Sequence, residues 1–222
     1  MMPASMTMEK TQRRILRNAV WGVWGCAFLV SVTVQVWGRP SQEPVRPPNA
    51  EGITLKLDPE HSTLTWTLGS TLHTVHGKFA LKSGQLQFDP ESGRASGEFI
   101  AFATSGESGN DSRDKKMHRE ILESARYPDV IFRPTKIEGK VARTGASDVQ
   151  MRGTFLLHGT EHEITVPVHS ELTADRWKGS AKFSVPYIQW GLRSPNTFLL
   201  KADPAVEIDL ELSGTLQGAG AP

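Results

Sequence analysis

The chain holds a single cysteine, Cys26, so no intrachain disulfide can form. Cys26 falls in an N-terminal apolar segment, which leaves the rest without a thiol nucleophile, a cysteine zinc site or a redox pair. A G-x-S-x-G elbow, a phosphate-binding glycine loop and an H-E-x-x-H zinc motif are also missing, and with them the commonest hydrolase and nucleotide signatures. "HREILE", from His118, has the helical pattern but no second histidine at the zinc spacing. "SGESGNDSRD", from Ser105, brings serine, aspartate and arginine close together without a histidine at fixed reach, and reads as a polar loop capping a helix. No basic block follows the N-terminal region: from residue 52 onward there are 19 Lys/Arg and 21 Asp/Glu. A near-neutral domain of net charge −2 has no electrostatic footprint for nucleic acid.

What is present begins with a basic front, "EKTQRRILR", followed by a mostly apolar run over residues 19–37. That order predicts a signal sequence or membrane anchor over residues 1–38, with cleavage and retention both open. The basic residues stay on the cytoplasmic side, which predicts a domain in the periplasm, secreted, or held on the outer face of the inner membrane. Residues 39–52 contain four prolines and no apolar periodicity, the composition of a stiff linker. Residues 215–222 read as a disordered tail.

Between residues 53 and 214 the hydrophobic period is two. Leu64, Trp66 and Leu68 alternate with threonines, and Val149, Met151, Gly153, Phe155 and Leu157 alternate with Gln150, Arg152 and Thr154. Ala181, Phe183 and Val185, then Val206, Ile208, Leu210 and Leu212, repeat the pattern. One apolar and one polar face per strand marks antiparallel sheet wet on one side. Turn signals at "KSGQ", "DPESGR", "EGKVARTGASD", "HGTE" and "ADRWKG" separate about eight strands, the count of a sandwich or closed barrel. One segment departs from the period. Met117, Ile121, Leu122 and Ala125 form a helical stripe, which predicts a helix over residues 112–124 with Asp111 as N-cap and Pro128 as the stop. A lone helix in such a sheet plugs or flanks one end.

The histidines read as turn residues. Gly159 predicts a two-residue hairpin loop, Gly159-Thr160, pairing His158 with Glu161 and Leu157 with His162. His158 and His162 then face opposite ways and cannot share a metal. His73 and His76, three apart in a β-type run, also diverge, and His61 sits at a strand entrance. No metal site is expected.

Four stretches together resemble the YceI-like family of lipid- or polyisoprenoid-binding proteins: "LDPEHSTLTWTL", "HTVHGKF", "SGNDSRDKKMHREILESARYPDVIFRPTKI" and "MRGTFLLHGTEHEITVPV". The resemblance covers about 160 residues. It implies an all-β fold: an extended lipocalin-like antiparallel barrel of eight strands with one inserted helix, around a long apolar tunnel. It also implies a long apolar or amphiphilic ligand, such as a polyisoprenoid, an isoprenoid quinone or a fatty-acid-like lipid, and no catalytic role. The C-terminal "PYIQWGLRSPNTFLLKADPAVEIDLELSG" departs from the family's simpler close and points to a distinct subgroup.

Parity assigns Leu64, Trp66, Phe99, Phe132, Met151, Phe155, Phe183 and Ile208 inward, with Ala101 and Ala103 leaving room along the Phe99 wall. On this reading the ten residues line the ligand site. The expected partners are a long-chain lipid, the inner membrane through an uncleaved N-terminus, and, for a quinone carrier, a membrane electron-transfer protein; a homodimer is open. The alternatives are a non-carrier periplasmic stress or structural protein and a metal-dependent hydrolase.

Overall fold

The computed structural model describes residues 52–217. The predicted signal or anchor and nearly all of the Pro-rich linker lie outside the described residues.

The domain is a closed antiparallel barrel of eight staves, two of them bent. β1 (Ile53–Leu57) and β2 (Thr63–Leu68) form the first stave, broken by a short 3-10 turn (Pro59–His61). β3 (Val75–Phe79) and β4 (Leu81–Phe88) form the second. β5 (Ala95–Phe102), β6 (Asp129–Glu138), β7 (Gly145–Leu157), β8 (Thr160–Leu172), β9 (Arg176–Val185) and β10 (Val206–Gln217) complete the wall. Each stave pairs with the next. β10 closes the ring by pairing with β2 through Ile208 and Trp66, and with β1 through Leu55 and Leu216. Closure leaves no long sheet edge to aggregate. β10 continues to Gln217, so the tail predicted from residue 215 starts in paired strand.

The break in the first stave has a local cause. Asp58 caps the 3-10 turn by accepting from the Glu60 amide at 3.2 Å, and also meets His61 Nδ1 at 2.9 Å. Pro59 fits the first position of such a turn, where no amide donor is needed.

Two predicted turns move. "KSGQ" is not a turn but part of β4. Gly84 is there because Phe99 crosses its strand: a Cβ at Gly84 would fall 2.5 Å from the Phe99 ring. A glycine inside a strand marks close approach as readily as a bend. The β7–β8 hairpin turns on His158-Gly159, one residue earlier than expected, pairing Leu157 with Thr160 and Phe155 with His162. Both loop residues take left-handed φ, 52° and 77°, as a primed hairpin turn requires. Histidine tolerates that conformation here because its ring packs 4.5 Å from the Tyr127 ring.

The helix follows β5 and covers one end of the barrel. α1 (Asp111–Lys116) passes into a π-helical turn (Met117–Ile121), so it stops short of residue 124. Asn110, not Asp111, is the N-cap: its side chain accepts from the Arg113 amide at 3.0 Å. His118 pins the far end. Its Nε2 donates to the Gly106 carbonyl at 2.8 Å, which leaves Nδ1 to accept from the Ser124 hydroxyl at 2.9 Å. That fixes the tautomer.

The barrel has two unlike ends. The turns after β4, β6 and β8 and both ends of the described segment gather at the floor, where Ile53, Phe88, Leu172 and Trp177 pack in one buried cluster. The helix, the β2–β3 loop, the His158-Gly159 turn and the long segment 186–205 gather at the opposite end. There Thr71 donates its amide to the Lys201 carbonyl at 2.9 Å and Asp203 donates to Gly69 at 2.9 Å, tying the two loops together.

Candidate functional site

A cavity of about 600 Å³ runs through the barrel. A packed interior has few voids larger than one water, whose share of liquid volume is about 30 Å³. The inward side chains therefore enclose a space instead of filling it, and its size lies within the usual range for ligand sites of about 300–1,000 Å³. Its lining starts at floor residues such as Leu55, Phe88, Leu172 and Trp177 and ends at helix residues Met117 and Ile121 and loop residues Pro195 and Leu200. Three lining residues are solvent-exposed, His73, Ser112 and Thr197, and all belong to the helix-bearing end. That end is the mouth.

Strand parity places side chains on this wall. Leu64, Trp66, Phe99, Ala101, Phe132, Met151, Phe155, Phe183 and Ile208 all line the cavity. Ala103 does not. It sits in a 3-10 turn beyond the end of β5, buried at 2% exposure, with its amide on the Pro128 carbonyl at 2.8 Å. The alternation that placed Ala101 inward ends at Phe102, so counting by twos fails one step later.

Several wall residues fall outside the sequence expectation. Leu172 and Trp177 end the inward rows Val166-Val168-Ser170-Leu172 and Trp177-Gly179-Ala181-Phe183, where the polar Ser170 and the small Gly179 interrupt the apolar pattern. Trp177 donates its indole N–H to the Lys56 carbonyl at 3.2 Å, across the closing seam. Gly214 makes this possible, since a Cβ there would fall 1.9 Å from that same carbonyl oxygen. Met117, Ile121 and Leu122 bring the predicted helical stripe into the wall.

The polar content of the wall is small and uneven. Its only fully charged members are Arg113 and Lys116, on one face of the helix at the mouth; no carboxylate lines the cavity. Arg113 is held by Ser108: Nε donates to the hydroxyl at 2.7 Å and a terminal nitrogen to the carbonyl at 2.8 Å. Asp114 also binds Ser108, through the hydroxyl and through the amide at 3.1 Å. Partial burial would raise the Asp114 pKa, but the Ser108 hydrogen bonds and the Arg113 charge outweigh it and hold the carboxyl below its ordinary value. "SGESGNDSRD" is thus the helix-capping loop the sequence suggests. Deeper in, Trp66 is 6% exposed and its Nε1 is buried with no acceptor.

The other histidines serve packing and turns. His162 lies on the sheet face of Phe155 and stacks on Trp190, ring centroids 4.2 Å apart and 2° from parallel. His158 Nε2 is 3.2 Å from Glu123 Oε1, a distance an ion pair would use, but without hydrogen-bond alignment. His76 meets the Thr67 hydroxyl at 3.0 Å and His169 meets Asp148 at 2.7 Å, both on the outside. Among the described residues no three His, Cys, Asp or Glu side chains are grouped to hold a metal.

Comparison with known proteins follows the same lines. No curated protein matches. Among solved structures, a polyisoprenoid binding domain from Saccharophagus degradans, implicated in plant cell wall breakdown, aligns at 17% identity with a TM-score of 0.56, covering 73% of this chain and 98% of its own. BcnA of Burkholderia cenocepacia aligns at 15% identity and TM-score 0.59, covering 72% of this chain and 99% of its own. The YCEI protein of Campylobacter jejuni aligns at 18% identity and TM-score 0.50, covering 65% and 86%. At such identities these likenesses speak to the fold alone. The model of the YceI-like domain matches residues 55–214, most of the chain and nearly all of the barrel. The chain therefore belongs to the YceI-like domain family.

Proposed function

We propose that this protein is an exported carrier that holds a long apolar or amphiphilic ligand in the barrel cavity: a polyisoprenoid, an isoprenoid quinone or a fatty-acid-like lipid. The observation that carries the reading is the cavity of about 600 Å³, walled by aliphatic and aromatic side chains from floor to mouth. Burying a hydrocarbon chain against such a wall is favourable by about 25 cal/mol per Å² of apolar surface removed from water. The polyisoprenoid binding activity attributed to a structural neighbour supports the same ligand class. No carboxylate lines the cavity, and His118 is committed at both ring nitrogens. Holding is the chemistry this wall offers.

Native mass spectrometry of the gently purified full chain, followed by lipid extraction, tests the proposal. A co-purified long-chain species is expected. A ligand-free protein that also fails to take up an apolar fluorescent probe would end it. Export rests on the basic front and apolar run of residues 1–38. A periplasm-dependent reporter fused after residue 50 is expected to be active, and N-terminal sequencing separates cleavage from anchoring.

A further inference from the structure

The composition of the wall says which end of an amphiphile belongs where. A ligand whose polar end were uncharged would need hydrogen-bonding groups at the mouth but no net charge. The mouth instead carries two cations three residues apart, Arg113 and Lys116, and the cavity lining carries no anion. Three apart on a helix is the same face.

Neither cation is consumed within the protein. Among the described residues neither makes a salt bridge. The carboxylates that feel their charge have closer partners: Asp114, its pKa lowered in part by Arg113, binds Ser108, and Glu120, lowered in part by Lys116, pairs with Arg119. Arg113 is nevertheless fixed, because Ser108 takes its Nε and one terminal N–H through neutral oxygens. That orients the guanidinium and leaves its remaining donors open. An arginine anchored by a serine beside a lysine with no hydrogen bond of its own suits a planar or tetrahedral oxyanion better than either cation alone.

A second observation also asks for a ligand oxygen. Trp66 lines the cavity, yet its indole N–H is buried without an acceptor. Trp66 lies 6.4 Å from the Phe79 ring, and Phe79 and Met117 both close on Gly106, so this donor sits on the side of the cavity that the helix covers. A buried donor is left unmet at a cost that a ligand oxygen would remove.

We propose that the mouth recognises an anionic headgroup, a carboxylate or phosphate monoester, gripped between Arg113 and Lys116, with the hydrocarbon chain running toward the floor. This rests on the carrier reading above and adds the headgroup and the direction of the chain. Neutral ligands of the same length would enter the same cavity more weakly.

The test uses the full chain, stripped of lipid and kept soluble in amphipol, with dodecanoate, dodecyl phosphate and dodecanol titrated at pH 8 by calorimetry. Both anions are expected to bind about tenfold tighter than the alcohol. Raised salt should weaken the anions and not the alcohol. Lys116→Gln, which disturbs no described hydrogen bond, should erase much of the difference, and Arg113→Gln with Lys116→Gln the rest, with dodecanol unchanged. A preference for the phosphate or for the carboxylate names the source. Equal affinity for all three, unmoved by either variant, overturns the headgroup assignment and leaves the carrier standing. Failure of all three to bind overturns both.

Discussion

The two ends of the barrel are built by opposite rules. At the floor, Ile53, Leu55, Phe88, Leu172 and Trp177 are exposed by only 1–6%, and strands β1 and β10 are sewn together over them. At the mouth, Phe198 and Leu199 stand 98% and 76% exposed on segment 186–205, and the helix that covers the opening winds out of α geometry after Lys116. The larger buried cluster lies where the chain closes on itself. The opposite end is made of loops and one short helix over a smaller buried cluster, Leu157, Val185, Tyr187 and Leu192. A container needs that division, and the larger of the two buried clusters is the one that includes the floor residues.

The comparison can be broken most directly at the floor. Leu172→Ala should cost about 2–5 kcal/mol, as expected for a large aliphatic in a site that cannot collapse, read by urea unfolding. Gly214→Ala comes next. A methyl that close to the Lys56 carbonyl must part β10 from β1, with an expected loss of about 1–3 kcal/mol or more. If both variants unfold like the wild type, the floor is not the structural base.

A third test pits two alanines against each other. Ala101→Trp adds an indole to the cavity wall and should abolish ligand co-purification at little cost in stability. Ala103→Trp places the same indole in a packed turn and should destabilise by about 1–3 kcal/mol as overpacking. Equal effects on ligand and stability would mean that the cavity and the turn behave as one core.

Acid should also act on the capping loop at the mouth. The Asp114 carboxyl has its pKa held below the ordinary 3.8. A depressed carboxylate stabilises the fold above its unfolded value, and that contribution is lost as pH falls through the folded one. In an NMR titration below pH 3.8, the Ser108 and Arg113 amides should shift while the amides beside Leu172 stay. Smallest of all, Phe198→Ser with Leu199→Ser should leave stability within about 0.5 kcal/mol.

Much of the barrel was legible because a wall with one face inward must alternate. Residues 149–157 and 206–212 could be sorted into lining and surface by counting alone. Counting failed where a strand ended or a backbone departed from the ordinary. Ala103 lies one step past β5. His158 takes a left-handed φ that the sequence rule assigns to glycine first, and the error moved His162 opposite Phe155. Gly84 looked like a turn because nothing local reveals that Phe99 lies across it. Arg113 and Lys116 were passed over for another reason. Charges on a short helix normally face water, and only the closed wall shows that these two border a cavity.

Thr54 lies opposite Gln217 in the closing seam, so the chain enters and leaves the barrel side by side at the floor. Any tether attached before residue 52 therefore grips the barrel by its base. The cavity mouth lies at the other end of the barrel from this seam. A surface that captures the barrel at this seam therefore leaves the opening facing solution, the geometry a ligand-capture assay needs.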